Sequence, residues 1–198
     1  MRAVFIAFLL ILNASSYAVA ETTNKQAESF VTSLFQDFQD IYDPAKSDTE
    51  QALLAYYQQN FDHQLIARFV LGGYGRRASS EQKARFADLL PRFILAQISP
   101  QIGPYFAEDK AENIIKVLST TPLRKGHVMV KTLYQGRQDV EMNVRLRPVD
   151  NVLRIVDVQV AGISMLMAQR DLIASMIKQK DGDMNAFLEQ LAQRVENI

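Results

Sequence analysis

The chain has no cysteine, no tryptophan, only two histidines in 198 residues and no net charge. Without cysteine it has no disulfide, no thiol nucleophile and no thiolate metal ligand. It also has no point at which a lipid could be attached behind an export signal. His63 and His127 lie far apart, and neither has another His, Asp or Glu at metal-ligand spacing, so no metal site is expected. Basic and acidic residues number 22 each, and the longest basic cluster is Arg76-Arg77. That balance argues against nucleic acid as a partner and against strong attraction to anionic membranes. There is no Gly-x-Ser-x-Gly elbow. Gly72-Gly73-Tyr74-Gly75 superficially resembles a phosphate loop, but it follows a helical pattern and lacks a lysine, so it reads as a helix terminator.

What is present begins with an export signal. Arg2 precedes the apolar run Ala3 to Leu12, and Ala18-Val19-Ala20 offers small residues at both positions a signal peptidase reads. The run is about half the ~20 residues a membrane-spanning helix needs. Cleavage after Ala20 is expected, leaving residues 21–198 as one domain in a periplasm-like compartment.

The mature chain changes period midway. Ala27, Phe30, Val31, Leu34, Phe35, Phe38, Ile41 and Tyr42 recur at helical steps up to Pro44. Ser47-Asp48-Thr49-Glu50 reads as a capping box for a second helix, and Asp62 as the cap of a third. Ser79-Ser80-Glu81-Gln82 opens a longer helix, in which Pro91 predicts a kink or a break and Gly103-Pro104 an end. Strands follow at about Asn113–Ser119, His127–Tyr134, Val140–Arg147 and Leu153–Val160, two of them alternating apolar with polar as half-buried antiparallel strands do. Two amphipathic helices, separated at Asp181-Gly182-Asp183, close the chain. The pattern predicts an α+β domain with helices around a twisted antiparallel sheet of about four strands.

The junction from Leu153 to Ser164 concentrates what little chemistry there is. Strict alternation puts Val156, Val158 and Val160 on one face and Leu153, Ile155, Asp157 and Gln159 on the other. Gly162 breaks the strand, and Ser164 is placed to cap the next helix. Asp157 would be a general base if it faced a pocket; the alternation points it away, which favours a structural role. No catalytic residue is assigned.

Two stretches resemble a known family. Phe61 to Leu71-Gly72-Gly73-Tyr74, followed by Ser79-Ser80-Glu81-Gln82-Lys83-Ala84-Arg85-Phe86, is similar to the MlaC family of periplasmic phospholipid-binding proteins, also described as toluene-tolerance auxiliary components of ABC transporters. The family pattern is an apolar helix ending Leu-Gly-x-Tyr, a short basic loop, and a Ser/Thr-x-x-Gln helix start with a phenylalanine one turn on. Asp157, Gly162 and Ser164 match its Asp…Gly-x-Ser junction, and Arg170 stands where an arginine is common. Gly75 replaces a frequent second aromatic, and Pro91 interrupts the long helix.

The resemblance implies a nuclear-transport-factor-like fold with an apolar cavity and no enzymatic cofactor, its cargo a bound phospholipid. It also implies outer-membrane lipid asymmetry as the purpose. The partners would be an outer-membrane lipoprotein complex and an inner-membrane ABC transporter with its substrate-binding subunit. Exposing two sixteen-carbon chains to water costs on the order of 20–25 kcal/mol at ~0.8 kcal/mol per methylene, so both must be largely enclosed. The candidate lining is Val128, Val130, Met142, Val144, Val156, Val158 and Val160 of the sheet with Leu71, Tyr74, Phe86, Leu90, Phe93, Ile163 and Leu166 of the helices. Arg76 and Arg77 are the candidates for the headgroup phosphate. The alternatives are a hopanoid carrier of the same superfamily, a pocket enzyme of the isomerase or dehydratase kind using Asp157, and an adaptor without ligand.

Overall fold

The computed structural model describes residues 24–42, 49–106, 114–135 and 139–196, with the backbone alone over 99–106. The export signal, Pro44, Ser47 and Asp48 lie outside the described residues. A first helix, α1, spans 24–41. It is followed by α2 (Thr49–Asn60), α3 (His63–Leu71), a 3₁₀ turn (Gly72–Arg76) and α4 (Ser80–Phe106). The strands are β1 (Ile114–Pro122), β2 (Val128–Gln135), β3 (Val140–Val149), β4 (Val152–Val160) and β5 (Ile163–Ser164). Helices α5 (Met165–Lys178) and α6 (Met184–Glu196) complete the domain.

Local chemistry sets these boundaries. Asp62 Oδ1 accepts from Leu65 N at 3.1 Å and starts α3. Ser79 and Gln82 form a reciprocal capping box, Ser79 Oγ accepting from Gln82 N and Gln82 Oε1 from Ser79 N. Asp183 Oδ1 accepts from Asn185 N and Ala186 N to start α6. The β3–β4 hairpin turns through Asp150 and Asn151, both at positive φ, the conformation a two-residue hairpin with the right twist needs.

Helix α4 is one continuous helix through Pro91, and it passes Gly103 and Pro104 to reach Phe106. Both expectations of a break there are corrected. Proline removes one N–H and costs a helix interior roughly 3 kcal/mol. Leu90 at 1% and Phe93 at 2% exposure flank Pro91 and anchor both sides in the core, which holds the helix together.

The sheet is an antiparallel meander in the order β1-β2-β3-β4-β5, adding a two-residue strand to the four expected. Its hairpin runs through Ala161 and Gly162, both at positive φ, so the chain doubles back before α5 begins. A β-bulge corrects the alternation in β4. Arg145 pairs with Asp157, but Leu146 pairs with Ile155, leaving Val156 as the extra residue. Ile155 therefore shares a face with Val158, against the expected alternation.

Two apolar cores result. The helical core gathers Ile66, Val70 and Leu71 of α3, Phe86, Leu90 and Phe93 of α4, Ile173, Met176 and Ile177 of α5, and Phe187, Leu188 and Leu191 of α6. The sheet core packs Val128, Val130, Val144, Leu146 and Ile155 against Ala27, Val31 and Leu34 of α1. Phe61 packs against both, stacked on Tyr57 at 4.5 Å between ring centroids. The α2–α3 turn is pinned to the bulge: Asp62 N donates to Ile155 O, and Asp62 Oδ2 pairs with Arg147 Nε at 2.6 Å.

Candidate functional site

The end of α3 creates the most distinctive surface. Gly72 takes φ +53°, ψ −129°, a region essentially closed to other residues, and its N–H still bonds back to Arg68 O. The chain then tightens into the 3₁₀ turn, which carries Tyr74 and Arg76, with Arg77 as the residue that caps its end. Helix α5 packs beside it and brings Arg170 against the glycine. A methyl group at Gly72 would stand 3.3 Å from Arg170 Nε.

Between these elements lies a cleft of about 530 Å³, lined by Val70, Leu71, Gly72, Gly73, Tyr74, Arg76, Arg77, Arg170 and Ala174. Val70, Leu71 and Ala174 make its apolar part and the arginines its charged part. Arg170 lies over the Phe69 ring with 4.9 Å from Cζ to the centroid, and Arg77 over Tyr74 at 5.8 Å. Aromatic faces orient a guanidinium without neutralising it. Among the described residues, none of the three arginines is paired with a carboxylate.

The sequence candidates fall into separate places. Leu71, Tyr74, Arg76 and Arg77 meet in the cleft. Phe86, Leu90 and Phe93 are packed in the helical core with Leu166 partly buried against it. Val128, Val130 and Val144 are packed in the sheet core, with Val158 at its margin. Met142 and Val160 are half-buried register partners. Val156 is buried at the bulge, outside both cores. Ile163 is 62% exposed, because the β4–β5 turn carries it to the surface. Arg170, which the sequence marks only as a position where the family often has arginine, is not among the sequence candidates for the site and joins it in the structure. It is 94 positions from Arg76, and only the docking of α5 on α3 joins them.

Asp157 is buried at 8% exposure, and both of its oxygens are engaged. Oδ2 accepts from Ser164 Oγ at 2.7 Å and Oδ1 from Leu166 N at 3.0 Å. Ser164 Oγ in turn accepts from Met167 N at 3.1 Å. A carboxylate at a helix N-terminus also complements its dipole. The junction thus holds the start of α5, and through it the position of Arg170 in the cleft. His127 lies elsewhere, near Arg145, Arg147 and Lys125; burial, and then those charges, hold its imidazole below the ordinary histidine value. Among the described residues no His, Asp and Glu cluster could hold a metal ion, and no helix is long and apolar enough to cross a membrane.

A meander sheet covered by helices, with an amphiphilic and cation-bearing cleft, defines an α+β protein equipped for a ligand with both an apolar and an anionic part. Residues 24–193 match the family model described as MlaC protein, and the chain belongs to the MlaC family. Its fold is shared with a phospholipid-binding protein from Ralstonia solanacearum solved in complex with a phospholipid. The TM-score is 0.64 at 12% identity, over 94% of this chain and 95% of that one. No curated protein sequence matches the chain.

Proposed function

We propose that this protein is a periplasmic phospholipid carrier, exported by a signal cleaved after Ala20, that maintains outer-membrane lipid asymmetry. It would pass lipid between an outer-membrane lipoprotein complex and an inner-membrane ABC transporter with its substrate-binding subunit. Family membership and a fold shared with a phospholipid-bound protein support this reading. The observation that carries it is the cleft, where Val70, Leu71 and Ala174 meet Arg76, Arg77 and Arg170.

Size decides how the ligand is held. Thirty-two methylenes of roughly 30 Å³ each, about the share of one water in the liquid, need on the order of 1,000 Å³. The cleft offers about 530 Å³, enough for a headgroup, glycerol and the first part of the chains. The remaining length goes between the two cores, where Phe61 packs against both. Loading therefore means that the sheet core and the helical core separate. In a vesicle assay the purified protein is expected to move phospholipid from donor to acceptor membranes in proportion to its concentration. Transfer no faster than the protein-free rate contradicts the proposal.

An adaptor that bridges envelope complexes without cargo is the second reading, and one observation favours it: both cores are closed by the chain's own side chains. It predicts partner binding with no lipid transfer. The pocket enzyme using Asp157 has less support, because both carboxylate oxygens are occupied in holding α5.

A further inference from the structure

We infer that the cleft selects lipids by charge: the Arg76, Arg77 and Arg170 pocket is built for a phosphate group carrying net negative charge, and an anionic phospholipid is preferred to a zwitterionic one. This rests on the carrier reading and adds the ligand class to it. Three guanidinium groups line one cleft, and none is neutralised by a carboxylate among the described residues. Two are oriented by aromatic faces, Arg170 by Phe69 and Arg77 by Tyr74, an arrangement that keeps their donors available. Gly72 has no side chain where one would crowd Arg170, so the guanidinium can lie against the backbone at the cleft wall.

A phosphodiester oxygen pair matches the planar fork of an arginine, and charge-assisted bonds of this kind are among the strongest available to a side chain. An ethanolamine or choline headgroup would add a cation beside three others and lose part of that attraction. Free phosphate esters share the same recognition chemistry. The lipid source is favoured by the surroundings: Val70, Leu71 and Ala174 adjoin the arginines, and Met167, one turn before Arg170, is 46% exposed.

The test loads the full mature chain from vesicles with equal parts phosphatidylglycerol and phosphatidylethanolamine, followed by mass spectrometry of the extracted lipid. Each surface arginine is worth about fivefold in affinity for an anionic lipid surface, so enrichment of phosphatidylglycerol over the vesicle ratio by at least about fivefold is expected. Arg170→Gln should lower the enrichment by about fivefold while lipid still loads. The exposed pair Arg76→Gln/Arg77→Gln, neither of them buried in a core, gives the same readout if the Arg170 variant fails to fold. Loading in the vesicle ratio, or enrichment that survives the folded variants, overturns the selectivity and leaves the carrier reading standing. If neither lipid loads, the carrier reading itself fails. Calorimetric binding of glycerol 3-phosphate in that case assigns the pocket to soluble phosphate esters and overturns the lipid source.

Discussion

Tyr56 and Tyr57 are neighbours on α2 and serve different cores. Tyr56 packs on the sheet core and donates its hydroxyl to Leu34 O of α1 at 2.9 Å. Tyr57 is part of the helical core, where its hydroxyl is buried without a hydrogen-bond partner beside Asp62. The difference extends to the cores themselves. The helical one is built largely of Phe, Leu, Ile and Met from α3, α4, α5 and α6, with Tyr57 of α2, and Phe187, Ile173, Ile177 and Leu191 are at 0% exposure. The sheet one is lined largely by valines and covered mainly by α1, through Ala27, Val31 and Leu34, with Tyr56 of α2 and Phe61 packed at its margin. α1 is also tied to the sheet edge by Thr120 Oγ1, which donates to Glu28 Oε1 at 2.7 Å. One core is a frame locked from several directions. The other is a sheet face with a lid formed mainly by α1.

Substitutions that separate the two cores are the first way to test this contrast. Phe187→Ala removes a ring fully enclosed beside Phe86, their centroids 6.0 Å apart, and should cost about 3–5 kcal/mol in urea unfolding. Val130→Ala, equally enclosed but under α1, should cost only about 2 kcal/mol for the two methyl groups lost. Compared per carbon removed, a Val130 cost as large as that of Phe187 would show that the lid is as rigid as the frame. Next in size is Asp157→Ala. It leaves Ser164 Oγ and Leu166 N without their buried acceptor and should cost about 2–3 kcal/mol, measured in the same way. Asp157→Asn, which keeps an acceptor for Leu166 N, should cost less.

The tyrosine pair gives a finer test. Tyr56→Phe forfeits its bond to α1 and should lower stability by about 1 kcal/mol. Tyr57→Phe removes a buried hydroxyl that has no partner, and should leave stability unchanged or raise it. Thermal unfolding of the two variants side by side reads the difference. The smallest effect expected is a pH dependence from His127. Its folded value lies below the ordinary 6.5, so between the two values the unfolded chain binds more protons. Its contribution is complete above about pH 6.5 and is lost as pH falls through the folded value. His127→Gln should flatten the urea midpoint across that window.

Much of the fold is legible in the sequence because its signals are local. Asp62, Ser79 with Gln82, and Ser164 each cap the helix they precede, and the strands follow their alternation. The bulge at Val156 is hidden because both faces of β4 are rich in valine, isoleucine and leucine, so an extra residue leaves no gap in the pattern. The break expected as one outcome at Pro91 fails for a different reason: tertiary packing on both sides keeps the helix continuous. Of the cleft, Leu71, Tyr74, Arg76 and Arg77 lie within one turn region and can be read together. Arg170 cannot, since its place depends on α5 docking against Gly72 and Phe69.

What co-purifies with the exported protein tests the lipid-carrier assignment most directly. Solvent extraction of the mature chain, with mass spectrometry and phosphorus quantitation, should recover about one phospholipid per chain. It should also leave a protein that reloads from vesicles. A chain that carries no stoichiometric lipid after export, and takes up none from vesicles, would contradict it.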